Sequence, residues 1–301
     1  MKRLSKKISV FWIERLRFQL KAGADIFWES RRAFSQDGCL NLSAALAFYT
    51  ILSFIPILFL LVSVAGYILG SSDEAYRVAT SFFDRLFPQA SGLIFKEVKA
   101  ISQRAGVLGW VGILSMVWTA SIIFSSLEFA MGVVFRVERR RYFLKSKLLA
   151  LSMIPASALI FFLTFIVTAF SGIMELYELK IFGVELMKSD LFEFLIGYLF
   201  PYLVLAVSFT AVYKIIPNTS VALRHAMAGG ASCAFLFEVA KHFFAWYVGR
   251  TPQYSVIYGS LEAIVIMVLW AFYSSSILLF CAEVVSAYRR RDITLLEKAF
   301  L

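Results

Sequence analysis

The ionisable side chains that interrupt the long apolar runs of this chain are where chemistry could occur. Glu238, Lys241 and His242 stand at i, i+3 and i+4, so a helix through them carries all three on one face. A carboxylate beside an ammonium and an imidazole can relay a proton or hold a polar headgroup. The same three residues can equally form a structural ion pair, with Lys241 and His242 reaching toward an interface. Glu193 and Glu262 open two other apolar runs and fall at the same level. A second group gathers at the opposite level: Glu128 and Glu283, with Arg136, Arg139, Arg140 and Arg141 near the first and Arg289, Arg290 and Arg291 near the second. Ion pairs that lock helix ends are one use for them. Anionic headgroups are another, since each basic group beside an anionic membrane surface gains about 1 kcal/mol.

Other residues shape a path rather than react. Pro56 and Pro201 sit near the middle of apolar runs, where proline frees a carbonyl and kinks a helix. Ser53, Ser274 and Ser275 add hydroxyls at a similar depth, so these positions either line a discontinuous, substrate-bearing region or serve as ordinary kinks and packing serines. Gly66-x-x-x-Gly70 and Gly229-Gly230 read first as close-packing motifs.

Enzyme signatures are missing. The chain has no Gly-x-x-x-x-Gly-Lys-Ser/Thr loop, so no nucleotide hydrolysis of its own is expected. Its two histidines, His225 and His242, belong to opposite levels, and Cys39, Cys233 and Cys281 lack metal-ligand spacing. No catalytic residue, metal or cofactor is assigned. No nucleic-acid partner is expected either, because the basic residues cluster beside apolar runs and no soluble domain is there to hold RNA.

A 60% apolar composition with a mean hydropathy of +0.77 places the supporting elements in a bilayer. Spanning the hydrocarbon takes about 20 mainly apolar residues. Six runs meet that length, near 40–69, 107–135, 148–172, 191–213, 221–248 and 256–288. They are continuous rather than alternating, so the fold class is all-α, with six transmembrane helices plus short amphipathic ones. Of the 30 Lys and Arg, 21 fall in the N- and C-terminal segments and alternate connections and 8 on the other side, which puts both ends in the cytoplasm. Asn218-Thr-Ser then lies on the cytoplasmic side and is discounted as a glycosylation site.

Residues 1–39 form a cytoplasmic arm with an amphipathic stretch over 8–34, suited to lie on the inner leaflet or on the protein's own loops. Residues 40–288 form the membrane domain, with a long external loop at 71–106 that is expected to fold as short helices. Residues 289–301 are a basic cytoplasmic tail. The first thirty-odd residues do not read as a cleaved signal peptide.

Several stretches carry a resemblance. Ala44-Ala-Leu-Ala-Phe-Tyr-Thr-Ile-Leu-Ser-Phe-Ile-Pro56, Tyr213-Lys-Ile-Ile-Pro-Asn218, and Tyr258-Gly-Ser-Leu261 with Trp270 and Ala282-Glu283 are similar to motifs of the YihY/BrkB family of bacterial inner-membrane proteins. Where many relatives carry an Asn near the end of the second span, this chain reads Leu127-Glu-Phe-Ala-Met-Gly132, so a role for that Asn does not carry over. The resemblance implies a multi-pass protein of the cell inner membrane. On activity it implies less than on architecture, since members are described either as uncharacterised membrane proteins or as transporters, while the ribonuclease label once attached to the family finds no support in the residues.

Together these readings give an expected function: a transporter or facilitator of a lipid-like or envelope-related amphipathic substrate, with membrane lipids as partners. The rival reading is a non-transporting envelope scaffold that recruits a protein partner or a second copy.

Overall fold

A computed structural model describes residues 21–53, 56, 105–138, 141–142, 144–153, 155, 159, 199–250 and 262–300. Among them there is no strand. Seven helices appear in chain order: α1 over residues 21–36, α2 Cys39–Leu52, α3 Ala105–Val134, α4 over 144–153, α5 Phe200–Ile215, α6 Leu223–Arg250 and α7 Glu262–Phe300. The loop expected at 71–106 lies almost wholly outside these residues, as do most of the expected span at 148–172 and the first part, 191–198, of the span expected at 191–213.

Local chemistry explains several boundaries. Gly38 takes a left-handed backbone (φ 64), which suits glycine and lets α1 turn directly into α2. α2 stops at Leu52, four residues before Pro56, whose ring would clash with the Leu52 carbonyl in a continuing helix. Ser53 caps that end, its backbone N–H donating to the Tyr49 carbonyl and its hydroxyl to the Thr50 carbonyl at 2.6 Å. Pro201 falls in the first turn of α5, where its missing N–H leaves no bond unmade. Pro56 is itself helical, and the residues on either side of it lie outside the described ones.

α7 forms the axis, packing against α2, α3 and α6, while α6 also packs on α5. The closeness of these contacts comes from small residues. A Cβ on Gly230 would stand 2.7 Å from the Ala206 carbonyl oxygen and 2.7 Å from the Thr210 nitrogen of α5, and one on Gly229 would strike Val285 of α7 at 2.0 Å. The Gly229-Gly230 pair is thus a packing motif, as expected. Around it lies a core built from Leu46, Leu127, Met131, Val134, Tyr213, Cys233, Leu279, Ala282 and Val285.

The outer surface is apolar too. On α3, Trp110, Leu114 and Trp118 recur at i, i+4 and i+8 and are 69%, 66% and 63% exposed. Phe235, Val239, Phe243 and Trp246 make a similar exposed stripe on α6. Such stripes are the wrong way out for water and suit hydrocarbon. The segments Trp110–Val134 and Ile264–Thr294 are long and apolar enough to cross a membrane, and both lie mostly unburied by protein, unlike the core helix of a soluble domain. α7 continues through Arg289, Arg290 and Arg291 to Phe300, so the basic segment expected as a tail is helical.

Candidate functional site

Among the described residues, charged and polar side chains gather where α3 ends. Ser125, Glu128, Phe129, Gly132, Val133 and Arg136 follow one another at helical spacing and line a cavity of about 550 Å³. Val137, Arg141, Ser146, Lys147 and Asn218 complete it from the following loop, from α4 and from the α5–α6 turn. The end of α3 is held by two backbone bonds, Val137 N–H to the Gly132 carbonyl at 2.9 Å and Arg136 N–H to the Val133 carbonyl at 3.0 Å. That pairing is a Schellman motif, and it places Arg136 at the position glycine usually fills. Arg136 accordingly has φ 52, the only non-glycine residue with positive φ among those described. An L-residue there costs about 1 kcal/mol or more, yet the position holds a long cation that is exposed at the cavity and forms no hydrogen bond or ion pair with another described residue.

The other charges are engaged. Glu128 lies 3.8 Å from Arg141 in an ion pair and also accepts a hydrogen bond from the Ser146 hydroxyl. Arg141 donates further to the Asn218 side-chain oxygen and to the Ile215 carbonyl, both at 3.4 Å, tying α3 to the α5–α6 turn. Lys147 donates to the Ser121 hydroxyl at 2.6 Å and so holds α4 on α3. With Arg136, Arg141 and Lys147 against Glu128, the cavity lining carries two net positive charges together with the apolar Phe129, Val133 and Val137. That arrangement suits a molecule with an anionic head and an apolar body.

Glu128, Arg136 and Arg141, assigned to one level by sequence, do come together here. Arg139, Arg140 and Glu193 lie outside the described residues. Glu283 sits elsewhere: fully buried on α7, beside Asp37 and Cys39 rather than in an ion pair with the arginines of the α3 end. Burial and the two carboxyls push the Cys39 thiol up to about 12. The three consecutive arginines serve as clamps, Arg289 to the Thr219 hydroxyl at 2.8 Å, Arg290 to Glu29 at 3.0 Å and Arg291 to the Ala22 carbonyl at 2.8 Å.

In the other cluster, Lys241 pairs with Glu238, and His242 Nδ1 lies 2.8 Å from the Glu238 carbonyl, all within α6. One Glu238 oxygen and the Ser274 hydroxyl are nevertheless buried without hydrogen-bond partners. Ser275 is half-buried beside Ser274 on α7, and Glu262 is the first residue of that helix. No group of three or more metal-ligating side chains gathers among the described residues.

Sequence reasoning passed over Ser146, Lys147 and Asn218 as site residues, because their place depends on which helices meet. It also passed over a buried contact on α6, where His225 Nε2 lies 2.8 Å from Asp292 of α7 and its ring stands edge-on to Tyr288 at 4.5 Å. Arg224 pairs with the same carboxylate.

A family model described as virulence factor BrkB matches residues 30–299. The chain belongs to the BrkB family. It is 31% identical over 254 residues to a UPF0761 membrane protein of Halorhodospira halophila, covering 84% of this chain and 55% of that protein. A UPF0761 membrane protein of Alkalilimnicola ehrlichii is 30% identical over 256 residues (84% and 56%), and one of Alcanivorax borkumensis 28% over 262 residues (85% and 58%). The chain spans little more than half the length of these curated relatives. No solved structure matches it. The BrkB match and the membrane proteins it resembles place the chain in a bacterial membrane.

The segments that resemble BrkB-family motifs have visible work in the structure. Tyr213 is fully buried, and its hydroxyl donates to the Leu278 carbonyl of α7 at 2.9 Å. Lys214 donates to the Val221 carbonyl across the α5–α6 turn, and Asn218 at that turn receives Arg141. Trp270 packs its ring against Phe237 and Phe244 of α6, with centroids 5.4 and 5.0 Å apart. The Lys214 and Asn218 contacts hold the turn that contributes Asn218 to the cavity.

Proposed function

We propose that this BrkB-family protein is a multi-pass inner-membrane facilitator for an amphipathic, lipid-like or envelope-related substrate. In this reading six helices cross the membrane, both ends are cytoplasmic, the chain hydrolyses no nucleotide, and the Arg136 cavity opens at the inner leaflet. The observation that carries it is a cavity whose lining combines a net positive charge with the apolar Phe129, Val133 and Val137, with Arg136 kept at a backbone position that disfavours it. An anionic headgroup would meet Arg136, Arg141 and Lys147 while its apolar part lay along Phe129, Val133 and Val137. The Glu238–Lys241 pair is the candidate contact at the outer level.

Reconstitution tests this directly. Liposomes holding the protein and fluorescent anionic lipid should show leaflet exchange above that of empty vesicles. Arg136→Gly should lower it roughly fivefold, the loss of one basic contact worth about 1 kcal/mol. Glu238→Gln and Lys241→Met should each slow exchange if the outer pair takes part, and leave it unchanged if that pair is structural. Exchange no faster than in empty vesicles would end the lipid form of the proposal.

A further inference from the structure

The turn between α1 and α2 meets α7 at a second polar site, which the cavity does not use. Glu283 is 0% exposed, and one of its oxygens takes only the weak Cys39 S–H donor at 3.8 Å. Its other oxygen is buried with no partner, as is one oxygen of Asp37, whose carboxyl lies within hydrogen-bonding reach of Glu283. A buried nitrogen of Arg290, Nη2, is likewise unpartnered. Three unmatched atoms, two acceptors and one donor, therefore belong to interacting side chains at one junction.

Ionised carboxylates only accept hydrogen bonds, so two of them facing each other leave both oxygens unsatisfied and their charges opposed. One proton held between them turns one carboxyl into a donor and answers both problems. Arg290 cannot neutralise the pair alone, because its Nε is committed to Glu29 at 3.0 Å and its Nη1 to the Ser286 hydroxyl at 2.8 Å. Its remaining nitrogen suits a bridging water, with the two free carboxyl oxygens as that water's acceptors.

We propose that Asp37 and Glu283 form a proton-binding pair that holds one exchangeable proton and, with Arg290, an ordered water at the α1–α2 turn. Asp37 is part-exposed and gives the proton its route from water, while Glu283 is the buried end. Among the described residues, the groups facing the pair are few. α1 contributes Glu29 through Arg290, α2 contributes Cys39, and α3 contributes the Val134 carbonyl, which accepts from Ser286. On α6, His225 is committed to Asp292 further along α7.

A consequence follows for α1. Asp37 adjoins Gly38, the left-handed residue at which α1 turns into α2, and α1 is otherwise held to α7 by the Arg290–Glu29 and Arg291–Ala22 contacts and by the Phe27 and Phe34 rings on Phe280. With the proton bound, the turn stays against α7. As pH rises and the proton leaves, repulsion between the two carboxylates pushes it off.

Infrared difference spectroscopy on the purified full chain in lipid nanodiscs, titrated with pH in light and heavy water, tests the site. The expected result is a protonated-carboxyl band that shifts on deuteration, disappears as pH rises, and is absent from both Glu283→Gln and Asp37→Asn. Either amide can donate and accept as the protonated acid does, and Asp37→Asn alters a part-exposed residue, so it keeps the test available even where the buried change impairs folding. Spin labels on α1 and α7 should report a separation that grows with pH in the unmodified chain and stays short in Asp37→Asn. A spectrum without such a band, or a band that survives in both variants, would overturn the proposal, as would a label separation indifferent to pH.

Discussion

Arg136 shows how a single residue can be read against its backbone. At the end of α3 the Schellman bonds demand a left-handed residue, and glycine would meet that demand without steric cost. Arg136→Gly should therefore leave the fold intact and, after allowing for glycine's greater freedom in the unfolded chain, raise stability by no more than about 1 kcal/mol. Thermal unfolding in detergent measures this. A stable variant that exchanges lipid poorly would separate the guanidinium's role from any structural one. Glu128 contrasts with it, because its ion pair to Arg141 and its bond from Ser146 hold the cavity wall together.

At the scale of helices, glycine and proline set the geometry. Gly230 lets α6 lie against the α5 backbone, and a methyl group there meets main-chain atoms that no rotamer change can move. Gly230→Ala should cost about 1–3 kcal/mol through overpacking, seen as a lower unfolding temperature, and should disturb the α5–α6 turn that carries Asn218. α7 has 39 residues, hence a length of about 58 Å at 1.5 Å per residue, against roughly 30 Å of hydrocarbon. The excess carries Arg289, Arg290, Arg291 and Asp292 to where each can clamp a neighbouring segment. Charge and helix length thus act together at this end.

At the scale of the molecule, apolar stripes face outward from α3 and α6, and the charged contacts gather toward helix ends. The proposed arrangement of six spans with cytoplasmic ends makes a testable statement about sidedness. Lys145→Cys, beside the cavity, should label with an impermeant maleimide only after the membrane is opened, whereas Ser91→Cys, in the 71–106 loop, should label in intact spheroplasts. Cys39, Cys233 and Cys281 are free and buried, so they should contribute little background. Labelling of both positions from the same side would refute the arrangement.

What the sequence determined alone is the solvent and the kind of element: long apolar runs require hydrocarbon and internally bonded helices, and this depends only on composition along the chain. It also made Gly229-Gly230 legible as packing, since a missing side chain acts through the backbone itself. Tertiary structure decided the rest. Glu128 and Arg141 could be placed at one level from their positions, but Asn218, Ser146 and Lys147 join them only because the α5–α6 turn and α4 close on the end of α3. Glu283 looked like one more partner for nearby arginines, yet its side chain meets Asp37, 246 positions away in the sequence. Spacing along one helix says which residues share its face; only packing between helices says what that face will meet.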